Sequence, residues 1–128
     1  MSILPIPTQL YHWLVALALT LVIELPVYAF LCRKDTTIQR SLTAGTLGTL
    51  ITHPLLWFIW QPTMKALFHN AAVITPAGEF LVVIIEAAVL KIVIRSLHLK
   101  TALSISLIAN ATSYGIGLIL FYLRFLLR

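Results

Sequence analysis

Charged side chains are scarce in this sequence. Of its 128 residues only 10% are charged, with nine Lys and Arg against four Asp and Glu, whereas 60% are hydrophobic. The mean hydropathy of +1.00 is too apolar for an ordinary soluble domain. The composition therefore predicts an integral membrane protein with no room for a soluble catalytic domain. The net charge of +5 is attributed to membrane topology, and we expect no nucleic-acid partner.

Residues that enzymes and metal sites commonly use are also few. Cys32 is the only cysteine and Asp35 the only aspartate, which excludes an internal disulfide, a Cys-rich metal site and a pair of catalytic aspartates. The sequence contains no nucleotide, dinucleotide or zinc-hydrolase motif. We therefore predict that the protein is not an enzyme and holds no cofactor and no resident metal.

Long apolar runs fill most of the chain. Each is roughly 20 residues long, enough to cross a hydrocarbon core about 30 Å thick at 1.5 Å per residue. They predict an all-α fold, a polytopic integral membrane protein whose four transmembrane helices form one compact bundle over residues 1–128. The predicted spans are residues 10–31, 42–60, 78–96 and 102–123. Because Pro62 and Pro76 are helix breakers, we expect residues 61–77 to form a connection along the membrane interface.

The distribution of Lys and Arg predicts the orientation. Cytoplasmic connections are enriched in cations. Six cations flank the first and third connections, and three lie on the other side. Both termini are therefore predicted to lie on the non-cytoplasmic side. The six are Arg33, Lys34, Arg40, Lys91, Arg95 and Lys100, and the three are Lys65, Arg124 and Arg128.

Four polar residues lie deep inside the apolar runs, one in each predicted span: Glu24, His53, Glu86 and Asn110. Their depths below the predicted cytoplasmic edge are about 10 to 16 Å, so they lie at nearly one level. Polar groups at this depth are costly unless they have partners, and they commonly mark functional sites. We predict that these four residues form an ion, proton or interhelical polar site.

Further polar residues continue the same helix faces, because residues three, four and seven apart lie on one side of a helix. Ala44 and Gly48 form a small-xxx-small pair that permits close helix approach. Lys91 and Arg95 are predicted to extend to lipid headgroups, and a neutralising contact from Lys91 to Glu24 is an alternative. The supporting polar residues are Thr20, Thr49, Glu79, Ser106 and Ser113.

Two classes of function fit these features. The first is a small accessory or assembly subunit of a larger membrane complex, held by intramembrane polar contacts, and it is favoured by the small size and short connections. The second is a small proton- or cation-coupled transporter or channel that uses the acidic residues at the midplane. His53 would either shuttle protons or donate to carbonyls freed by Pro54. The expected partners are the lipid bilayer and either other membrane subunits or further copies of this chain.

Overall fold

Helices contain nearly all of the residues that the computed structural model describes, which are residues 6–68 and 70–127. None of these residues lies in a β-strand. A π-helical turn, Leu55–Trp60, continues α2 directly into α3. The helices are α1 (Ile6–Leu31), α2 (Ile38–Pro54), α3 (Gln61–Leu67), α4 (Ala71–Val93) and α5 (Leu99–Leu126).

Among the described residues, four segments are long and apolar enough to cross a membrane. They confirm the prediction of an all-helical fold with four membrane-length helices. The segment formed by α2, the π-helical turn and α3 counts as one of them. The four are Thr8–Leu31, Ile38–Leu67, Ala72–Val93 and Leu99–Leu126.

The long helices form a closed ring. α1 packs on α2, α2 on α4, α4 on α5, and α5 back on α1. Successive spanning segments run in opposite directions, so the start of α1 and the end of α5 lie at one end, here called the terminal end. The connections 32–37 and 94–98 lie at the opposite loop end, where Ser96 Oγ donates to the carbonyl oxygen of Asp35 at 3.1 Å.

The predicted connection over residues 61–77 is helical at both ends, because α3 and the start of α4 extend into it. Pro62 is the second residue of α3, which directly follows the π-helical turn, where the regular α-helical bonding is already interrupted. The side chain of Asn70 caps α4 by accepting from the N–H of Ala72 at 3.1 Å. Pro76 then lies inside α4, so the third spanning helix begins earlier than the predicted residue 78.

The π-helical turn follows Pro54 directly. Proline lacks the N–H that would continue the α-helical bonding pattern, and π turns frequently occur at such interruptions and at functional sites. The turn ends at Trp60, whose Nε1 donates to the carbonyl oxygen of Ile74 on α4 at 2.9 Å. This bond fixes the end of the second spanning segment against the start of the third.

Glycines on α2 allow its neighbours to approach closely. A Cβ atom on Gly45 would lie 2.6 Å from the Tyr28 ring of α1, and one on Gly48 would lie 3.2 Å from Cγ of Glu86 on α4. Ala44 is also buried against neighbouring helices. The predicted close approach along Ala44 and Gly48 is thus present, and it brings polar residues of three helices together.

An apolar core closes the bundle at the loop end. Its residues lie on the loop-end side of the central carboxyl groups and include Cys32, Ile94 and Leu97 of the two connections, and we call it the apolar plug. Four of them are alanines, which let the helices pack tightly. Within it the Cys32 thiol is fully buried, and burial together with nearby Asp35 raises its pKa to about 11. The plug consists of Tyr28, Cys32, Ala44, Ala87, Leu90, Ile94, Leu97, Ala102, Ile105 and Ala109.

Candidate functional site

Glu86 of α4 lies at the centre of a hydrogen-bond network that connects all four spanning segments. Its Oε2 accepts from the Tyr28 hydroxyl at 2.7 Å and from Nδ2 of Asn110 at 2.6 Å. Its Oε1 accepts from the Thr52 hydroxyl at 2.8 Å. These three partners come from α1, α5 and α2 and are all uncharged. The carboxyl group is therefore held by neutral dipoles.

Glu24 of α1 forms a second carboxyl site beside the first. Its Oε1 accepts from the Ser113 hydroxyl at 2.6 Å, and its Oε2 accepts from the Thr49 hydroxyl at 3.1 Å. Glu24 and Glu86 are 1% and 2% exposed, so both side chains are shielded from the surroundings of the bundle. The two acids and their five partners form what we call the carboxyl network.

The hydroxyl partners can serve either protonation state of the carboxyls. Thr52 Oγ1 lies 3.0 Å from the carbonyl oxygen of Gly48, and Thr49 Oγ1 lies 3.0 Å from that of Gly45. A hydroxyl has one proton to donate and two lone pairs that accept. Each threonine can therefore donate to the carboxylate, or donate to its backbone carbonyl while accepting a proton from the carboxylic acid. Ser113 has the same choice, with the carbonyl oxygen of Asn110 at 3.1 Å.

Residues on α4 and α5 hold Asn110 in position. Its Nδ2 also donates to the carbonyl oxygen of Ser106 at 2.9 Å, one turn earlier on α5. The Ser106 hydroxyl in turn donates to the carbonyl oxygen of Val83 on α4 at 3.0 Å. Ser106 thus lies behind the network and fixes α5 against α4, without contacting either carboxyl.

A cavity of about 390 Å³ adjoins the carboxyl network on the side away from the apolar plug. Its inner end is lined by Glu24, Glu86, Asn110 and Ser113. From there it extends toward the terminal end of the bundle. The remaining wall contains Ala16, Thr20, Thr49, Thr52, His53, Leu56, Trp57, Glu79, Val82, Tyr114, Gly117, Leu118 and Phe121. The carboxyls are therefore approached from one end and closed off at the other.

Glu79 and Thr20 lie in the cavity wall, both half-buried. Glu79 is two turns before Glu86 on α4, about 10 Å nearer the terminal end and on nearly the same helix face. Thr20 is one turn before Glu24 on α1. The cavity thus has acidic groups at two depths, as the sequence spacing predicts.

His53 lines the cavity but lies among aromatic rings. Its ring stacks on Trp57 with centroids 5.9 Å apart and approaches Trp13 at 6.1 Å. Its Nδ1 is buried and has no hydrogen-bond partner among the described residues, so this atom makes no bond to a carbonyl freed by Pro54. Of the four residues predicted to share a site, the structure brings Glu24, Glu86 and Asn110 into one network, and His53 lies beside it.

The neutralising contact from Lys91 to Glu24 is a wrong prediction. Lys91 Nζ donates to the carbonyl oxygen of Arg95 at 2.8 Å, just beyond the end of α4. Carbonyl groups at a helix end lack intrahelical partners, and a lysine commonly satisfies them. The Arg95 side chain is exposed at the loop end. Contact of either residue with lipid headgroups stays a prediction.

Metal binding finds little support in this geometry. Within residues 6–68 and 70–127, no three His, Cys, Asp or Glu side chains come together in a group that could hold a metal ion. The four carboxyl oxygens of Glu24 and Glu86 instead accept bonds from protein hydroxyl and amide groups.

Tyr28 and Thr52 are members of the network that the sequence analysis does not identify. Tyr28 is four residues after Glu24, so both lie on one face of α1. Thr52 is three residues after Thr49 and four after Gly48, on the face of α2 that meets α4. These spacings were available in the sequence, and they would have indicated both residues once Glu24 and Gly48 were placed in the interior.

No known protein family, curated protein or solved structure matches this chain.

Proposed function

We propose that the protein carries protons or small cations across a membrane, with the carboxyls of Glu24 and Glu86 as the groups that bind them. The observation that supports this most is the position of two buried acids, with neutral partners only, at the inner end of a cavity that reaches them from one end. Ionisable groups inside a membrane are costly, and they commonly mark ion and proton pathways.

The hydroxyl partners supply a mechanism for taking up and releasing a proton without moving the helices. When Glu86 is ionised, Thr52 donates to its Oε1. When Oε1 carries the proton, it donates to Thr52, whose own proton turns toward the carbonyl oxygen of Gly48. Tyr28 and Asn110 donate to Oε2 in both states. The same rotation at Thr49 and Ser113 serves Glu24.

Passage to the other side of the membrane requires the apolar plug to open. Its helix contacts include the small residues Ala44, Ala87, Ala102 and Ala109, which do not interlock as larger side chains do. We infer that α1 and α2 shift against α4 and α5 at the loop end, so that access to the carboxyls alternates between the two ends. Such alternation is the usual way in which carriers avoid an open pore.

Reconstitution into liposomes tests this function. A potassium diffusion potential is imposed, and internal pH is followed with a trapped dye. Wild-type protein is expected to move protons in a potential-dependent way, and both Glu24→Gln and Glu86→Gln are expected to lose this flux while remaining folded. Thr43→Val is the matched control, because Thr43 is an exposed residue of α2 that bonds only its own helix. Flux in Glu86→Gln equal to that of the wild type would contradict the proposal.

A second candidate is an accessory subunit of a larger membrane complex. The observation that favours it is that all five bonds to the carboxyls cross between helices, so they would serve equally well to hold the bundle in register. The last part of α5, from Gly117 to Leu126, is also exposed along its length. Stoichiometric partners after purification in mild detergent, together with no flux from the isolated protein, would favour this function over transport.

A further inference from the structure

The walls of the cavity differ in chemistry from one side to the other. α4 contributes Glu79 and Glu86, two acids about 10 Å apart along one helix face. α5 contributes Tyr114 and Phe121, which are seven residues apart and therefore also share a face. Trp57 from the π-helical turn adds a third aromatic ring. An acidic side of the cavity thus adjoins an aromatic and apolar one, in which Tyr114 and Phe121 are 44% and 68% exposed.

This combination matches the chemistry of an organic cation. A positive charge is attracted by carboxylates and by the faces of aromatic rings, and the attraction to a ring is strongest where water is excluded. The volume of about 390 Å³ lies at the small end of the range for small-molecule sites, roughly 300 to 1,000 Å³. A compact molecule with one or two rings and a single charged nitrogen is of this size class.

An inorganic cation fits the walls less well. Hard metal ions require six or more oxygen ligands, whereas each oxygen of Glu24 and Glu86 already accepts a bond from the protein. Leu56, Val82 and Leu118 add apolar surface to the wall, and this surface offers no ligand to a metal ion. Such a surface stabilises an apolar body.

His53 gives an independent indication of a ligand. Its side chain is only 8% exposed and lines the cavity, and its Nδ1 has no hydrogen-bond partner among the described residues. Buried polar atoms are nearly always bonded, so the protein leaves the hydrogen-bonding capacity of this wall residue unused.

We propose that this cavity binds a monovalent organic cation, with its ammonium group between Glu79 and the carboxyl network and its ring among Trp57, Tyr114 and Phe121. The inference rests on the proposed function, because it names the class of cation that the same carboxyls serve. The cation enters from the terminal end, where the cavity reaches the exposed Gly117.

Calorimetric titration of the full chain in detergent tests the proposal with three probes. Benzyltrimethylammonium has both the charged head and a ring, tetramethylammonium has the head alone, and sodium is the inorganic reference. Benzyltrimethylammonium is expected to bind about tenfold more tightly than tetramethylammonium, because its ring adds an aromatic contact of about 1.4 kcal/mol that tetramethylammonium lacks. Sodium at equal concentration is expected not to displace it. Equal binding of the two ammonium ions, or displacement by sodium, would overturn the proposal.

Two glycines of α5 supply a matched pair of variants. A Cβ atom on Gly117 or on Gly115 meets no atom within 4 Å, but only Gly117 lines the cavity. Gly117→Trp is expected to weaken binding of benzyltrimethylammonium at least tenfold, and Gly115→Trp to leave it unchanged within twofold. Glu79→Gln is expected to weaken it about fivefold through the lost charge. If Gly117→Trp does not fold, the smaller Gly117→Leu must weaken binding in the same direction.

The outcomes separate this proposal from the proposed function. Potential-driven proton flux that depends on Glu86, without binding of benzyltrimethylammonium, would overturn the organic cation and leave proton transport in place. Wild-type binding by Gly117→Trp would show that the cation binds outside the cavity and would likewise overturn the proposal. A third outcome is that benzyltrimethylammonium binds tightly, that Gly117→Trp blocks this binding, and that no proton flux is measured. This outcome would support the cation site and contradict the proton-coupled carrier.

Discussion

Substitution of Glu86 separates the hydrogen-bonding role of this side chain from its ability to exchange a proton. Glutamine has nearly the same shape and offers one acceptor oxygen and one donor nitrogen. With its oxygen in the position of Oε2, it accepts from Tyr28 and Asn110. Its nitrogen, in the position of Oε1, donates to Thr52, which turns its own proton to the carbonyl oxygen of Gly48. Glu86→Gln therefore keeps every bond of the network.

Leucine removes all three bonds to Glu86 and leaves the polar groups of Tyr28 and Asn110 buried without this partner. Interhelical hydrogen bonds in membranes average about 0.6 kcal/mol, with a maximum near 1.7. Three of them give an expected loss of roughly 2 kcal/mol in the free energy of unfolding for Glu86→Leu. Glu86→Gln is expected to stay within about 0.5 kcal/mol of the wild type, the range of substitutions that break no bond.

Reversible unfolding in mixed micelles, with loss of helical signal as the readout, measures both variants under one condition. The variant Thr43→Val removes a hydroxyl outside the network, so it controls for the effect of lost side-chain polarity on insertion into the micelle. A loss of about 2 kcal/mol in Glu86→Gln, equal to that in Glu86→Leu, would refute the reasoning. It would mean that Thr52 cannot exchange its donor role, and hence that the network admits one protonation state only.

Three other predictions concern the packing and the topology. Gly45→Ala places a Cβ atom 2.6 Å from the Tyr28 ring and is expected to lower the free energy of unfolding, measured with heat or denaturant, by about 1 to 3 kcal/mol. The control Gly115→Ala places its Cβ atom in open space and is expected to leave this free energy unchanged. The Cys32 thiol is buried and its pKa is raised to about 11, so it is expected to react slowly with maleimide. The rate of this reaction should rise about tenfold per pH unit from pH 7 to 10, because the thiolate is the reactive form. Fast alkylation at pH 7 would contradict the burial of Cys32. A cysteine introduced as Lys34→Cys, at the exposed loop end, is expected to react with an impermeant reagent in inverted vesicles only, and labelling in right-side-out vesicles would reverse the predicted orientation.

The long helices and the central acids follow from the sequence for one physical reason. A chain in hydrocarbon must bond its backbone internally, so uncharged runs of sufficient length become helices. An acid within such a run must turn inward to find partners, and this requirement places Glu24, Glu86 and Asn110 in the bundle interior. Helical spacing then brings Thr49 and Ser113 to the same faces.

Residues with ambiguous preferences could not be placed from the sequence in the same way. Tyr28 lies near the end of the first span, where tyrosines commonly face lipid headgroups, and the structure shows that it turns inward to contact Gly45 and to donate to Glu86. Thr52 and His53 are neighbours on α2, so they point about 100° apart. Thr52 contacts α4, whereas His53 turns toward Trp13 of α1.

The positions of the prolines do not by themselves predict where the second span ends and the third begins. Pro62 and Pro76 were expected to end helices, yet one lies in the first turn of α3 and the other is accommodated inside α4. Pro62 lies just after the π-helical turn, where the regular α-helical bonding is already interrupted. In membrane helices, neighbouring segments also compensate for interior prolines. The boundaries of these helices therefore depend on tertiary contacts, which the spacing of apolar residues in the sequence does not reveal.

Infrared difference spectroscopy of the reconstituted protein reports whether Glu24 and Glu86 exchange protons in the folded bundle, because a protonated carboxyl and a carboxylate absorb at different frequencies. The account predicts carboxylic acid bands that convert to carboxylate bands when pH is changed with the fold intact, and the loss of one such band in Glu86→Gln. Carboxyl bands that do not respond to pH until the helices unfold would contradict it, because the network would then serve only to hold the bundle together.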